Sequence, residues 1–399
     1  MGKRSFRNIR FAAKGNDLEV IFLRIFRTSI PLDKLGKAEV KGNDLVLDAS
    51  AERRFDGLLA DAFSRLSSLV TGKPVTYVHR NSGIPLFGNN SFGIVDRGSS
   101  LVEVKPMTGC NLNCVYCSVN QDARDHDFVV EAEYIVEEFA KLAAFKDCPL
   151  EAHIGTQGEP LLYADLLTLV SGLARIPQVK GVSMDTSGVM LTRELADSLV
   201  AAGMTQFNIS LNATDPELAE RMAGRPYPTK KVMEMCRHLA AKADVTLAPV
   251  LVQGMNESEM PKLIAFAKDI RGSHKVRVGV QNFLTYRFGR NPAKELTWEK
   301  FYAFLRKLEE EYGEKLILTA GDFSIKPAKQ LPKPFGKGDI VKAEIACPGR
   351  LPGEMVAVAK GRCVSVMNAS RKVGEKVDVK ILSAKHNLFL GKVLKGVSR

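Results

Sequence analysis

Three cysteines carry the most specific chemistry in this sequence. They stand in Lys105-Pro-Met-Thr-Gly-Cys110-Asn-Leu-Asn-Cys114-Val-Tyr-Cys117, a C-x3-C-x2-C loop. Thiolates at this spacing wrap one corner of an iron–sulfur cube. A [4Fe–4S] cluster held wholly by protein takes four Cys, and the next one, Cys148, lies beyond an expected helix. One iron is then left open, as catalytic metal sites leave a position open for an incoming ligand. A zinc knuckle completed by His126 or His153 is the alternative, weakened because no second Cys or His pair follows at finger spacing.

Such a loop needs a scaffold that holds it rigidly. From about residue 101 the sequence alternates short β-branched runs with longer amphipathic stretches, the pattern of repeated βα units around a parallel sheet. Strands are expected at 101–105, 151–155, 181–186, 206–212, 245–252 and 275–282, and helices at 131–146, 164–174, 193–202, 229–243, 257–270 and 298–312. Six units fit a partial (β/α) barrel, in which chemistry gathers on the loops after the C-terminal strand ends. The cysteine loop directly follows the first strand.

At this point the residues resemble a known family. C-x3-C-x2-C with Tyr116 before the last Cys is similar to the signature of the radical S-adenosylmethionine (radical SAM) superfamily, and the succession of motifs at strand ends extends the likeness over about 60% of the chain. The second strand ends in Gln157-Gly158-Glu159-Pro160, similar to the family's Gly-Gly-Glu segment that receives the methionyl amino group, with Gln157 in place of the first Gly. The resemblance implies polar cofactor contacts from Asp185, Thr186 and Ser187 after the third strand. It implies further contacts from Ser210 and Asn212 on the fourth, and an adenosine pocket lined by Gln253 and Asn256 after the fifth. It also implies a [4Fe–4S] cluster on Cys110, Cys114 and Cys117, with S-adenosylmethionine chelated to the open iron and cleaved reductively to a 5′-deoxyadenosyl radical. A one-electron donor such as ferredoxin or flavodoxin is implied too. Glu159 is expected to hold the cationic amine by a charge-assisted hydrogen bond. The residue-level alternative for each motif is turn and cap chemistry, since Gly, Asp, Asn and Ser also punctuate strand–helix junctions.

Charge concentrates at the end of the chain. The 399 residues carry 57 Lys and Arg against 45 Asp and Glu, net +12, and residues 336–399 hold 13 of the former against 5 of the latter, an excess of eight. Closely spaced strand-like segments between Gly and polar turns there suggest a small β-barrel. Gly338-Asp-Ile-Val341, Lys360-Gly-Arg362-Cys-Val-Ser-Val366, Gly374-Glu-Lys-Val-Asp-Val-Lys-Ile381 and Leu388-Phe-Leu-Gly391 resemble a TRAM domain. That resemblance implies a tRNA-directed module, and Lys and Arg that release phosphate counterions give it a mechanism. Arg287 and Arg290, within Tyr286-Arg-Phe-Gly-Arg290, and Lys360, Arg362, Lys376 and Lys385 are the expected RNA contacts. A solubilising lid over the catalytic domain has the same composition.

The expected class is α/β: a partial (β/α)6 barrel of radical SAM type at 96–325, with an N-terminal α+β accessory region at 1–95. A basic Pro-rich linker at 326–337 leads to a TRAM- or OB-like barrel at 338–399. Strands near 19–26 and 44–48 and a helix near 55–69 are expected in the cysteine-free N-terminal region. Its lack of Cys argues against a methylthiotransferase, and its size against a cobalamin domain. Cys148 and Cys236 read as small buried hydrophobes. Cys347 and Cys363 read either as structural or as a methyl-carrying or radical-quenching pair. With no apolar run of ~18 residues to span a membrane and an odd number of clustered cysteines, the expected setting is a reducing cytoplasm. The sequence resembles uncharacterised archaeal members of the superfamily and points to a radical SAM enzyme acting on RNA, with tRNA the favoured substrate. Radical modification of a small molecule or peptide, and a non-enzymatic metal-stabilised RNA-binding protein, are the competing readings.

Overall fold

The computed structural model describes residues 2–394. Six parallel strands form its centre, in the order in which the chain makes them: Leu101–Lys105, Leu150–Ile154, Val179–Thr186, Gln206–Ile209, Asp244–Leu247 and Val276–Val278. Each βα unit adds its strand beside the last, which is how right-handed crossovers build a barrel wall. The expected strands and their order are therefore found. The fifth and sixth stop early, near Pro249 and Gly279, and resume as the short pair Val250–Leu251 and Gln281–Asn282.

Register fixes what each face of this sheet carries. Val104, Ile154, Met184, Phe207, Val245 and Val276 lie in line across neighbouring strands and are buried. Helices cover that face. Ala132–Lys146, for example, turns Ile135, Phe139, Leu142 and Ala143 inward at helical spacing. The opposite, concave face is polar in two layers. Glu103, His153, Ser183, Gln206 and Asp244 form one, and Asp185, Asn208, Thr246 and Arg277 form the next. A closed eight-stranded barrel fills its interior with branched apolar side chains. This open one is lined with hydrogen-bonding groups.

An open sheet has two edges to protect. Gly93–Val95 pairs antiparallel with the first strand and covers one. The domain boundary expected at 95 is thus corrected, because these three residues belong to the central sheet. On the far side, Arg277 donates to the Asp322 carbonyl and lies over the Phe323 ring. The chain then returns beneath the first strand, where Ser100 N donates to the Lys326 carbonyl and Ala328 N to that of Gly98.

The basic Pro-rich segment expected at 326–337 runs extended against the central domain. Lys146 and Asp96 form an ion pair of 2.8 Å with no solvent exposure on either side chain. The Lys146 ammonium also donates to the carbonyls of Ser99 and Lys329, and Asp96 accepts from Leu331 N. The extended, Pro-rich segment has backbone groups to spare, and this buried pair uses them.

The N-terminal region holds two antiparallel sheets, Gly2–Ser5 with Asp44–Leu47 and Ala38–Lys41, and Ile9–Lys14 with Asp17–Phe22, Phe26–Pro31 and Ser67–Ser68. The strand expected at 19–26 is two strands, because Leu23 and Arg24 turn the chain with positive φ. The helix expected at 55–69 runs from Ala49 to Phe63, capped by the Asp48 carboxylate on Ser50 and Ala51 N–H. At the other end Ile340–Pro348, Met355–Ala359, Arg362–Val366, Leu390–Val393 and Lys376–Ser383 close into a five-stranded barrel with its own core of Ile345, Val364, Val379, Ile381 and Phe389.

That barrel is docked rather than tethered. Cys363 N donates to the Phe87 carbonyl, Phe389 N to that of Gly88, and Asn89 to the Ser365 hydroxyl. Cys347, Val356 and Cys363 belong to the main core. Both thiols are buried and pushed up by that burial, Cys347 to about 12, as packing residues are and reactive ones are not. Cys236 is likewise buried, and Cys148 half-buried.

Removing one partner of the Lys146–Asp96 pair leaves an uncompensated buried charge, which costs about 3–5 kcal/mol. Lys146→Met and Asp96→Leu are each expected to lower the urea midpoint accordingly. The double variant is expected to recover most of the loss, as equilibrium unfolding would show.

Candidate active site

The cysteine loop leaves the first strand through Thr108–Gly109, which pairs in parallel with Gln157–Gly158 after the second. The two segments touch so closely that a Cβ on Gly158 would lie 2.0 Å from the Gly109 carbonyl oxygen. Only glycine fits there. Gly109 itself has φ +96°, and its carbonyl accepts from Glu159 N at 2.9 Å. Below this strap, Asp127 is buried and accepts from the hydroxyls of Thr71 and Thr108 at 2.6 and 2.7 Å.

The far side of the loop rests on a helix that the sequence reading missed. Pro216–Ala223 is capped by the Asp215 side chain on Leu218 N and ends at Gly224 with φ +64°. Asn113 N donates to the Ala223 carbonyl and Val115 N to that of Met222, so the loop satisfies carbonyls at the helix end. A Cβ on Gly224 would meet the Asn113 carbonyl at 2.2 Å. The Asp-Pro start and Gly stop were legible signals for this helix.

Within the loop, Cys110 Sγ accepts from Leu112 N and Cys117 Sγ from Val119 N, each at 3.4 Å. Tyr116 is half-buried and its hydroxyl accepts from Asn212 Nδ2 at 2.7 Å. Burial pushes all three thiols up, Cys114 to about 12; neighbouring Cys groups add to it at Cys110 and Cys114, while Arg350, Arg124 and Arg290 oppose it at Cys117. Three thiols that resist ionisation in isolation, with N–H groups already aimed at two sulfurs, suit a cationic metal cluster that removes the cost of their charge. The zinc alternative loses its fourth ligand. His126 Nε2 is bonded to Thr76 at 2.7 Å, and His153 sits on the concave sheet face between Ser183 and Asp185.

The other expected contacts line the strand ends, largely as a hydrogen-bonded frame. Glu159, 2% exposed, accepts from Leu161 N, Thr186 Oγ1, Ser187 N and Ser187 Oγ, so its four lone-pair positions are used within the chain. Asn212 also accepts from Val250 N, and Asn256, fully buried, bridges the Asn212 and Val250 carbonyls and Val252 N. The Ser187 and Ser210 carbonyls both accept from the Tyr227 hydroxyl, another residue the sequence reading missed. Gln253 is exposed. Gln157 has a clear reason to differ from glycine: its Oε1 accepts from Arg350 Nη1 at 2.9 Å, and Arg350 comes from the C-terminal barrel. Arg350 Nη2 reaches Gln121 Oε1 at 3.0 Å.

Asp185 accepts from Asn208 at 2.8 Å and faces His153 Nε2 at 3.2 Å, while 54% of its side chain stays open to solvent. It therefore lies on the wet concave face of the sheet. Burial alone would lower the His153 imidazole, and Asp185 overrides it, holding it above its ordinary value.

The expected RNA contacts divide into two kinds. Arg290 donates to the Asn113 carbonyl at 2.6 Å and faces Asp122, holding the cysteine loop. Arg362 lies over Phe87 at the domain junction and donates to the Pro332 carbonyl. Arg287, stacked on Phe288, and Lys360, Lys376 and Lys385 are exposed. Lys342, Lys360 and Lys376 line one shallow groove of the barrel together with Glu344 and Asp378.

Fold and site define an enzyme class, an open barrel that presents a three-cysteine cluster loop at the C-terminal ends of its strands. The sequence profile of the radical SAM superfamily matches residues 104–267. An uncharacterised protein of Methanocaldococcus jannaschii is 35% identical over 363 residues, 83% of either chain. The GTP 3′,8-cyclase of a Cyanothece species is 32% identical over 167 residues, 40% of this chain, and the match spans only half the length of that cyclase. Among solved structures, Streptococcus suis SuiB bound to S-adenosylmethionine aligns with 77% of this chain and 70% of its own at 13% identity and a TM-score of 0.45. The chain belongs to the radical SAM superfamily. Its cofactors are a [4Fe–4S] cluster and S-adenosylmethionine, and its class is that of iron–sulfur, S-adenosylmethionine-dependent catalysts. No helix among the described residues is long and apolar enough to cross a membrane.

Gly158→Ala must separate the two strapped segments. Iron per chain after anaerobic reconstitution is expected to fall toward that of Cys114→Ala, with the far-ultraviolet circular dichroism retained.

The His153–Asp185 pair predicts a pH effect of definite sign. With the imidazole held above its unfolded value, the contribution is full below about pH 6.5. It is lost as pH rises through the folded value. Thermal midpoints followed across that window should fall in the wild type relative to Asp185→Asn.

Proposed function

We propose that this radical SAM enzyme modifies a nucleoside of RNA, with tRNA the favoured substrate and the C-terminal barrel its platform. The observation that carries the reading is Arg350. The basic barrel sends this buried side chain across the domain junction to Gln157, beside the cysteine loop, so the element suited to phosphate and the element suited to radical chemistry share one junction. The exposed Lys360, Lys376 and Lys385 and the grooved Lys342 supply sequence-independent attraction.

When bound, the cluster and S-adenosylmethionine supply a carbon-centred radical that abstracts hydrogen from the substrate, and the organic chemistry is theirs. The chain's residues position and insulate. Cys110, Cys114 and Cys117 hold the cluster, and Tyr116, between the last two of them, is tied through its hydroxyl to Asn212 of the fourth-strand end. The polar concave face, with Asp185, Asn208 and His153, offers donors and acceptors to a polar ligand while the barrel wall limits water. In this reading the reaction runs in the cytoplasm with ferredoxin or flavodoxin as electron donor.

A second reading is favoured by the docking itself. The barrel shares core residues with the catalytic domain and covers the cluster end, as a lid over a small phosphorylated substrate would. The partial likeness to GTP 3′,8-cyclases agrees with a nucleotide in that role.

Reduction of the holoenzyme should release 5′-deoxyadenosine, and nucleosides from tRNA and rRNA of cells with and without the gene should differ by one modified species in mass spectrometry. An unchanged RNA nucleoside profile would remove the RNA assignment. Replacing Lys342, Lys360 and Lys376 by Gln is expected to reduce the slope of log affinity for RNA against log salt by about two.

A further inference from the structure

Two buried guanidiniums in this structure lack an anion. Arg350 is 2% exposed and Arg124 7%, and among the described residues neither makes an ion pair. The Nε of each is buried without a hydrogen-bond partner. Arg350 is met only by the neutral oxygens of Gln157 and Gln121, and Arg124 by the Phe288 carbonyl at 3.4 Å. Both line one cavity of about 370 Å³ between the cysteine loop, the loop after the sixth strand and the C-terminal barrel. Arg287 lines it too, with Asn89, Asn90 and Ser91 on one wall and the exposed rings of Tyr286 and Phe288 on another. One carboxylate, Glu354, is present, and it accepts from Leu351 N.

An unpaired buried cation is costly, and two that repel each other more so. Burial, with mutual repulsion added, pushes Arg350 down to about 10, and burial pushes Arg124 in the same direction. Asp127, which accepts from two threonine hydroxyls, and Cys117 and Cys110 draw Arg350 the other way, but none of them meets it in an ion pair or hydrogen bond. Three guanidiniums against one carboxylate, beside two aromatic faces, form the complement of a phosphate ester attached to a ring.

We propose that this cavity is a binding site for the phosphate ester of a nucleotide, held by Arg124, Arg287 and Arg350 with the base against Tyr286 or Phe288. That this nucleotide belongs to the substrate rests on the function proposed above; the binding site itself does not. The phosphate belongs either to a free mononucleotide or to an RNA chain.

Calorimetric titration of the anaerobically reconstituted holoenzyme, with S-adenosylmethionine present, tests this with inorganic phosphate, uridine, uridine 5′-monophosphate and a short RNA. The monophosphate is expected to bind about ten-fold or more tightly than uridine, and Arg124→Gln and Arg287→Gln are each expected to cost about ten-fold. Arg287 is exposed, so its variant folds even where Arg350→Gln does not. Equal affinity for uridine and its monophosphate would overturn the proposal, as would competition between the monophosphate and S-adenosylmethionine. So would a shift in the cluster's midpoint potential in Arg350→Gln with monophosphate affinity unchanged, which would assign that cation to the cluster. Tight monophosphate binding with no affinity for RNA and no altered RNA nucleoside would uphold the anion site and remove only the RNA reading.

Discussion

Everything near the cluster loop depends on the contact between Gly158 and the carbonyl of Gly109. A side chain at 158 would push apart the two segments that pair there, and with them Glu159, whose amide is bonded to the same carbonyl. Glu159 in turn fastens the end of the third strand through Ser187 and Thr186, and the Thr186 carbonyl accepts from Ser210 N at the end of the fourth. One missing methyl group therefore sets the position of three strand ends relative to the cysteines. Steric exclusion of this kind is rigid where a network of long side chains would be compliant.

The second determinant is backbone satisfaction. A loop that curls around a metal cluster turns its N–H groups inward toward sulfur, and its outer amide groups need partners elsewhere. Here they find the carbonyl end of Pro216–Ala223, where four carbonyls of any helix lack intrahelical donors. The helix thus serves the loop more than it serves the sheet, which explains its short length and its position outside the regular βα alternation.

Much of this was legible in the sequence. The strand order and six helices follow from hydrophobic period, and Gly158 stood in the motif that the strap requires. The concave polar face was not read from it. Alternation such as Glu151, His153 or Gln206, Asn208 looks like a half-solvated strand, and only the barrel's curvature turns that solvated side into an interior. Gln157 looked like a lapse from a glycine pattern, because its partner Arg350 lies 193 positions away in another domain. The helix at Pro216–Ala223 was hidden in the crossover to the fifth strand, although its cap signals were present. The linker was legible as an extended basic segment from its Pro and Lys, and nothing local announces that Lys146 and Asp96 bury an ion pair against it.

Docking of the small barrel unites these features. Its Cys347 and Cys363 are packing residues, and its polar reach is Arg350. A buried arginine presented to neutral amides adds little stability by itself, since desolvation of the ion offsets the hydrogen bonds it makes. What it adds is registration, because a guanidinium fork that must meet both Gln157 and Gln121 fixes the barrel's angle against the cluster loop. The junction is thereby held in one geometry while its charge stays uncompensated, which is the state of a surface prepared for an anion rather than for its own fold.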